Sequence, residues 1–348
     1  MPIYYLSHVG GLEKIVADEL AERVPEARIL ENEFGRLHLE YEGDPAALMA
    51  LRTIENVYVR LAQFEAVRPE ESWLDELEEG LSKLDLQPAL EALRRQRAVP
   101  EMPTFRATAE RQGEHDFRSP EVQGAAGAGI KAATGWQVDL RGYDVEVRVD
   151  VRGTEALVGV RLSGAALHKR SRLVHPRVTL NATVAAAMVR LSEPTAGEVV
   201  CDAMVGGGTV LTERHDHDPE ALLIGGDLFA EKLALSRQNF EGLGVPAQLV
   251  QWDVRRLALG DETVDKFICN PPWGNMVGDR KLNRQMYPRL LSELRRCLKP
   301  GGLMVLLTSE RALVQSFVDR HRDMGLARID RLNVGGLHPS LHVLRKDG

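Results

Sequence analysis

The sequence predicts an α/β protein in two parts. The back half should be a mostly parallel, seven-stranded sheet, and the front half an α+β region. Three observations predict this. From about residue 181 helical and strand patterns alternate in a βαβ rhythm, which requires a parallel sheet covered on both faces. Successive strands in that stretch each end in a polar group, at Asp202, Asp227, Asp253 and Asn270. The front half instead mixes alternating strands with helices of varied composition, without that rhythm.

Ile3–Leu6 alternates as a strand, and Leu12 to Val24 has its apolar residues at helical spacing. Phe34 to Tyr41 alternates again. Gly43-Asp44-Pro45 opens a helix through Leu51, with proline in its first turn. Ile54 to Phe64 reads as a further strand. Residues 72–98 form an amphipathic helical stretch, acidic and then basic, whose charges suit a solvated face. Thr104 to Ala109 alternates as a strand, and Ser119-Pro120 opens a helix through Ala133. Asp144–Asp150 and Ala156–Leu162 are strands joined by a turn at Arg152-Gly153-Thr154.

In the back half the expected strands are Glu198–Asp202, Leu222–Asp227, Leu249–Asp253, Val264–Cys269 and Leu303–Thr308. Helices are expected at Ala182–Leu191, Ala230–Phe240 and Leu290–Leu298. Ala327–Leu332 and His342–Arg345 add an antiparallel pair at the edge. The implied domains are 1–63, 64–165, a basic linker at 166–181, and 182–348.

The chain has 348 residues, enough for two or three cores. Its 44% hydrophobic and 27% charged content is ordinary for a globular protein. Three scattered cysteines, Cys201, Cys269 and Cys297, exclude a disulfide framework or a zinc site. Buried thiols and a reducing, cytoplasmic location are expected. No leader peptide and no membrane span are expected. A net charge of −7 argues against bulk attraction to nucleic acid, though local patches are independent of it. One such patch is Lys169, Arg170, Arg172 and Arg177, four cations in a short run without a carboxylate, as phosphate contact requires.

The rim of strand ends carries the chemistry. Gly206-Gly207-Gly208 permits close backbone approach to a ligand and opens a helix N-terminus. Asp227 follows Gly208 by 19 residues, near the spacing at which an acid meets ribose hydroxyls. Asn270-Pro271-Pro272-Trp273 closes a buried strand. The Asn270 amide oxygen and the Pro271 carbonyl can both accept from one exocyclic NH2. The prolines stiffen the turn, and Trp273 offers a face for a base to stack on. A nicotinamide site is disfavoured, because the glycines do not follow Gly-x-Gly-x-x-Gly.

Two resemblances follow. Phe105-Arg106-Ala107-Thr108-Ala109, the Ser119-Pro120 helix opening and the strands ending in Val158–Gly164 resemble a THUMP domain, an RNA-binding module usually preceded by a ferredoxin-like domain. Leu167–Arg172, His175-Pro176 and Thr179-Leu180 are similar to the joint between THUMP and methyltransferase domains, with Ser171 in place of a Gly-Tyr pair. Asp202-Ala203-Met204-Val205-Gly206-Gly207-Gly208-Thr209, Asp227, Asp253 and Asn270–Trp273 resemble a Rossmann-like, S-adenosylmethionine-dependent methyltransferase acting on amines. Family members usually read Asp-Pro-Met-Cys-Gly-Ser-Gly-Thr in the first loop. Here Ala203 relaxes a fixed φ, and Gly207 removes a hydroxyl. The resemblance implies that the glycine loop cradles the methionine moiety and that Asp227 binds the ribose. Asp253 would take the adenine amine, with Trp252 or Val254 near the ring. Thr179, Leu180, Asp202, Met204, Thr209, Leu228 and Asn270 would complete the cofactor contacts, and no metal is implied.

The domain order and the asparagine of the turn resemble the tRNA guanine-N2 methyltransferases acting at the sixth nucleotide, in the acceptor stem. The implied substrate is tRNA and the implied assembly a monomer. Guanine-N2 methylation at another tRNA or ribosomal RNA position stays open, as does a non-catalytic RNA-binding protein with a degenerate methyltransferase fold.

Overall fold

A computed structural model describes residues 2–170, 180–273 and 280–348. It divides into two compact units. The first comprises the residues up to Ser7 together with Ala17–Ala166, and the second His8–Val16 with Leu167–Gly348.

The first unit runs β1 (Ile3–Ser7), α1 (Glu13–Arg23), β2 (Arg28–Glu33), β3 (Arg36–Glu40), α2 (Pro45–Met49), β4 (Asn56–Phe64), α3 (Trp73–Ser82), α4 (Gln87–Arg94), β5 (Phe105–Gln112), α5 (Ser119–Thr134), β6 (Val145–Arg152) and β7 (Glu155–Arg161). Its strands form one sheet in the order β2-β3-β1-β4-β7-β6-β5, in which only the β5–β6 pair is parallel. Residues on either side of position 64 therefore share a single sheet. Val145, Val147, Val149 and Val151 bury one face of β6, the period-2 pattern that made it legible.

Two local differences from the expected pattern have simple causes. Strand β2 lies at the sheet edge with almost every side chain exposed, so it leaves no apolar alternation to read. The single helical stretch over 72–98 is two helices. Asp85 Oδ1 accepts from the Gln87 backbone N–H at 2.9 Å, and Pro88 stands in the new first turn, so a second helix starts there.

The second unit continues with α6 (Ala182–Leu191), β8 (Val199–Asp202), α7 (Thr209–His217), β9 (Leu222–Asp227), α8 (Ala230–Leu243), β10 (Gln248–Gln251), β11 (Val264–Cys269), α9 (Arg280–Cys297), β12 (Leu298–Thr308), α10 (Arg311–Arg320), β13 (Met324–Arg331) and β14 (Ser340–Lys346). The sheet order is β10-β9-β8-β11-β12-β14-β13. All neighbours are parallel except β14, which is antiparallel to both β12 and β13. The chain winds outward from β8 through β9 to β10, then returns to place β11 on the other side of β8. That reversal is a topological switch point, and it opens a crevice at the carboxyl ends of β8 and β11.

Helix α9 begins ten residues earlier than expected and runs through Pro288. Its apolar face, with Tyr287, Leu290, Leu291 and Leu294 fully buried, outweighs the hydrogen bond that the proline removes. Helix α10, which the sequence reading omitted, buries only Val314 and Phe317. All three cysteines are buried and free. Among the described residues no helix is long and apolar enough to cross a membrane, and no group of His, Cys, Asp and Glu is placed to hold a metal ion.

The amino end of the sheet is closed by ion pairs. Arg214 on α7 is 0% exposed and bonds Glu198 at 3.3 Å, Asp218 at 3.2 Å and the Thr195 carbonyl at 2.8 Å. Lys266 adds a second cation to Glu198 at 3.4 Å. Removing one partner of such a buried pair strands the other charge. Arg214→Ala should therefore cost about 3–5 kcal/mol in urea unfolding, and an unchanged midpoint would show that the network holds nothing together.

Candidate active site

The crevice is built from three strand ends. At the end of β8, Asp202 is 2% exposed, and its Oδ1 accepts from the Met204 backbone N–H at 3.1 Å. Burial pushes this carboxyl up to about 7, and the nearby Asp227 adds to the rise. The loop that follows turns through Gly208, whose φ of +86° is open only to glycine at low cost. A Cβ at Gly208 would also meet the Phe240 ring at 2.5 Å. Thr209 then starts α7 and is buried.

Two buried polar residues on α8 grip this loop. Ser236 Oγ donates to the Gly206 carbonyl at 2.6 Å, and Asn239 Nδ2 donates to the Gly207 carbonyl at 3.0 Å. Both are fully buried. The sequence reading missed them, although polar residues three apart on the inward face of a helix were a usable signal.

At the end of β9, Asp227 accepts from the Gly206 N–H at 3.1 Å and from the Phe229 N–H at 3.1 Å. It thus ties the glycine loop to the start of α8. Leu228 beside it is half exposed and Val254 is buried. Trp252 is buried directly beneath the rim, its backbone N–H donating to the Asp227 carbonyl at 3.1 Å. It belongs to the core: its indole N–H donates to the Ala203 carbonyl at 3.0 Å, and its ring lies on Gly226, where a Cβ would come within 1.9 Å. Asp253 falls two residues beyond β10, in a turn, rather than on the strand itself. Arg255 forks onto both its oxygens and holds its carboxyl below the usual range. Any amine that reaches Asp253 shares it with that guanidinium.

At the end of β11 the Asn270–Trp273 turn is held from below. The Pro272 carbonyl accepts from Asn283 Nδ2 at 2.9 Å and from the Tyr287 hydroxyl at 3.0 Å. Asn283 and Tyr287 are four apart on one face of α9. Asn283 also donates to Glu310 Oε1 at 3.0 Å, and Tyr287 meets Thr308 Oγ1 at 2.5 Å. Trp273 Nε1 donates to Asn270 Oδ1 and to the Leu307 carbonyl, each at 3.0 Å. The Pro271 carbonyl accepts no hydrogen bond among the described residues. Asn283, Tyr287, Thr308 and Glu310 left no signature in sequence, because they act on a carbonyl rather than on a side chain.

The basic joint resolves differently. Lys169 is exposed in a short 3-10 turn, Leu167–Lys169. Arg170 forms a structural pair instead of a solvent-facing cation: Nε and Nη2 meet the buried Glu213 carboxylate, both at 3.2 Å. Arg172, Arg177 and Thr179 lie outside the described residues, and Leu180 is half-buried at the entry to α6.

The rim fits a nucleoside that carries a cationic amino-acid tail. Asp202 supplies a buried carboxyl that an incoming cation would draw into its ionised form. Asp227 stands at the neighbouring strand end, joined to the glycine loop through the Gly206 N–H. The space over Gly206 is open, its nearest neighbour to a built Cβ being the Met204 carbonyl oxygen at 3.9 Å. The fold and this rim define a THUMP-bearing, Rossmann-like methyltransferase.

Comparison with known proteins agrees. A THUMP-domain model matches residues 82–161, and an RMKL-like methyltransferase-domain model matches residues 169–339. The chain is 35% identical over 250 residues to the tRNA (guanine(6)-N2)-methyltransferase of Thermus thermophilus, covering 70% of this chain and 72% of that protein. It is 31% identical over 273 residues to the tRNA (guanine(6)-N(2))-methyltransferase THUMP3 of Mus musculus, covering 72% of this chain and 53% of the mouse protein. The chain spans about half the length of the mammalian relatives it matches. The crystal structure of TrmN from Thermus thermophilus has a TM-score of 0.81 and 29% identity, covering 99% of this chain and 100% of that one. The chain belongs to the family of THUMP-domain methyltransferases that these proteins represent.

The raised Asp202 pKa sets a stability slope. The folded form holds its proton up to about pH 7, while the unfolded carboxyl loses it near pH 4. The folded state binds more protons in that window, so this group lowers stability as pH rises through it. Asp202→Asn, which keeps the acceptor for Met204, should match wild type near pH 4. It should exceed wild type by on the order of 2–4 kcal/mol at pH 8 in denaturant unfolding. Equal stability of the two proteins at both pH values would mean that Asp202 ionises normally.

Proposed function

We propose that the chain transfers a methyl group from S-adenosylmethionine to the exocyclic N2 of a guanosine in tRNA, at the sixth nucleotide of the acceptor stem. The observation that carries this reading is the pair of acceptors at Asn270 and Pro271. They stand at the same switch point as the nucleoside-type rim, in a chain whose Thermus relative is a tRNA guanine(6)-N2-methyltransferase.

When bound, the cofactor supplies a methyl group on a sulfonium. The glycine loop, braced by Ser236 and Asn239, offers its backbone to the amino-acid end, with Met204 and Thr209 flanking it. Asp202 would receive the ammonium group there, the cation drawing the buried carboxyl into its ionised form. Asp227 faces the ribose, and Leu228 and Val254 border the base, whose amine meets Asp253. Thr179 and Leu180 belong to the same expected set of contacts.

The difficulty lies in the nucleophile, because an aryl amine shares its lone pair with the ring. Asn270 Oδ1 and the Pro271 carbonyl draw its two hydrogens, which directs the lone pair towards the methyl group. Positioning and fixed dipoles then supply most of the rate. Pro272 keeps the turn rigid, and Trp273 presents its ring face to the base, which must leave its helix to enter. The front 165 residues, proposed as a ferredoxin-like part (1–63) and a THUMP part (64–165), would hold the RNA by shape and phosphate. Lys169 is the described cation best placed for phosphate in the 166–181 joint. The residues from 182 onward carry the chemistry, in a monomer working in the cytoplasm.

Asn270→Ala should lower the methyl-transfer rate on unmodified tRNA by about 10²-fold or more. Cofactor and tRNA dissociation constants should stay within about twofold, since Asn270 is one contact among many in the ground state. A variant that turns over at the wild-type rate would remove Asn270 from the mechanism.

A further inference from the structure

The Trp273 side chain has an edge as well as a face. Its N–H reaches both Asn270 Oδ1 and the Leu307 carbonyl at 3.0 Å. An indole nitrogen only donates, so the Asn270 atom facing it is the amide oxygen. A flipped amide would set its NH2 against the indole N–H, donor against donor. Leu307 is the penultimate residue of β12 and pairs with Leu341 in β14, so the brace is sheet backbone. Asn270 itself is half-buried at a strand end, and no other hydrogen bond to its side chain is present among the described residues.

We propose that Trp273 is a positioning residue that acts through its indole N–H. Braced on Leu307, the N–H occupies one lone pair of Asn270 Oδ1 and turns the other towards the substrate amine. The acceptor is then oriented before the base arrives, and no reorganisation is required during methyl transfer. Phenylalanine has no donor, and the tyrosine donor lies at the far tip of the ring. An aromatic face alone therefore does not reproduce the effect. This inference rests on the reading of Asn270 as the amine acceptor.

The test replaces Trp273 alone with 3-benzothienylalanine, in which sulfur stands for the N–H and the flat ring is kept. A fluorotryptophan at the same position retains the donor, and Trp273→Phe serves as a second donor-free variant. Single-turnover methyl transfer to an unmodified tRNA transcript is measured at saturating cofactor, alongside tRNA and cofactor binding and thermal melting. Both donor-free proteins should react about tenfold more slowly than wild type with binding unchanged, and the fluorotryptophan protein should match wild type. A wild-type rate for the benzothienyl protein overturns the proposal. So does a slowing matched by an equal loss of tRNA affinity, which would assign the ring to stacking alone. A wild-type protein that binds both ligands and transfers no methyl group overturns the underlying reading with it.

Discussion

The carbonyl of Pro272 is held by two donors from a single face of α9, the Asn283 amide and the Tyr287 hydroxyl. The placement of the turn after β11 depends on this grip. A turn with two prolines lacks two backbone donors and cannot tie itself down through its own N–H groups. The helix supplies the missing donors, and Thr308 at the end of β12 and Glu310 at the cap of α10 orient them in turn. Tyr287 is fully buried, and burial with little compensation lifts its hydroxyl well above the usual range, so it remains a neutral donor. The turn is thereby registered against β11, β12 and α9 together, and its acceptor atoms inherit the rigidity of the sheet.

The same logic operates across the switch point. The glycine loop after β8 has no side chains with which to fix itself, so α8 reaches over with Ser236 and Asn239, and Asp227 accepts from the Gly206 N–H. Trp252 supports the loop from inside the core through the Ala203 carbonyl. In both loops the backbone at the rim is held by polar side chains whose own positions are set by buried packing. Such sites are pre-organised by their second layer of contacts. The substitutions of Ala203 and Gly207 into the first loop are tolerable on this view, because the shape of the loop is imposed by α8 and Trp252 as well as by its own residues.

The βαβ rhythm, the strand ends and the antiparallel edge pair were legible because each rests on burial, and burial leaves a periodic pattern. The acids at 202 and 227 and the turn at 270–273 were legible because their residue types are unusual where they stand. What escaped was of two kinds. Edge strand β2 and helix α10 bury too little to leave a stripe. The residues that brace the loops, Ser236, Asn239, Asn283 and Tyr287, act on main-chain carbonyls, and a sequence does not show which carbonyl lies opposite. Arg170 illustrates the converse error: a basic run reads as one patch, yet its partner Glu213 lies 43 positions on and becomes visible only in the fold. Arg255 on Asp253 is a local pair of the same kind.

The central claim is that the turn after β11 presents two acceptors to the exocyclic amine of a guanine. Its most direct test is nucleoside mass analysis of unmodified tRNA transcripts incubated with the protein and isotopically labelled S-adenosylmethionine. The account predicts a single labelled product, N2-methylguanosine, mapped to the sixth nucleotide of the acceptor stem. Label on adenosine, on cytidine or on a ring nitrogen of guanosine would contradict it, as would an unlabelled tRNA from protein that binds both ligands.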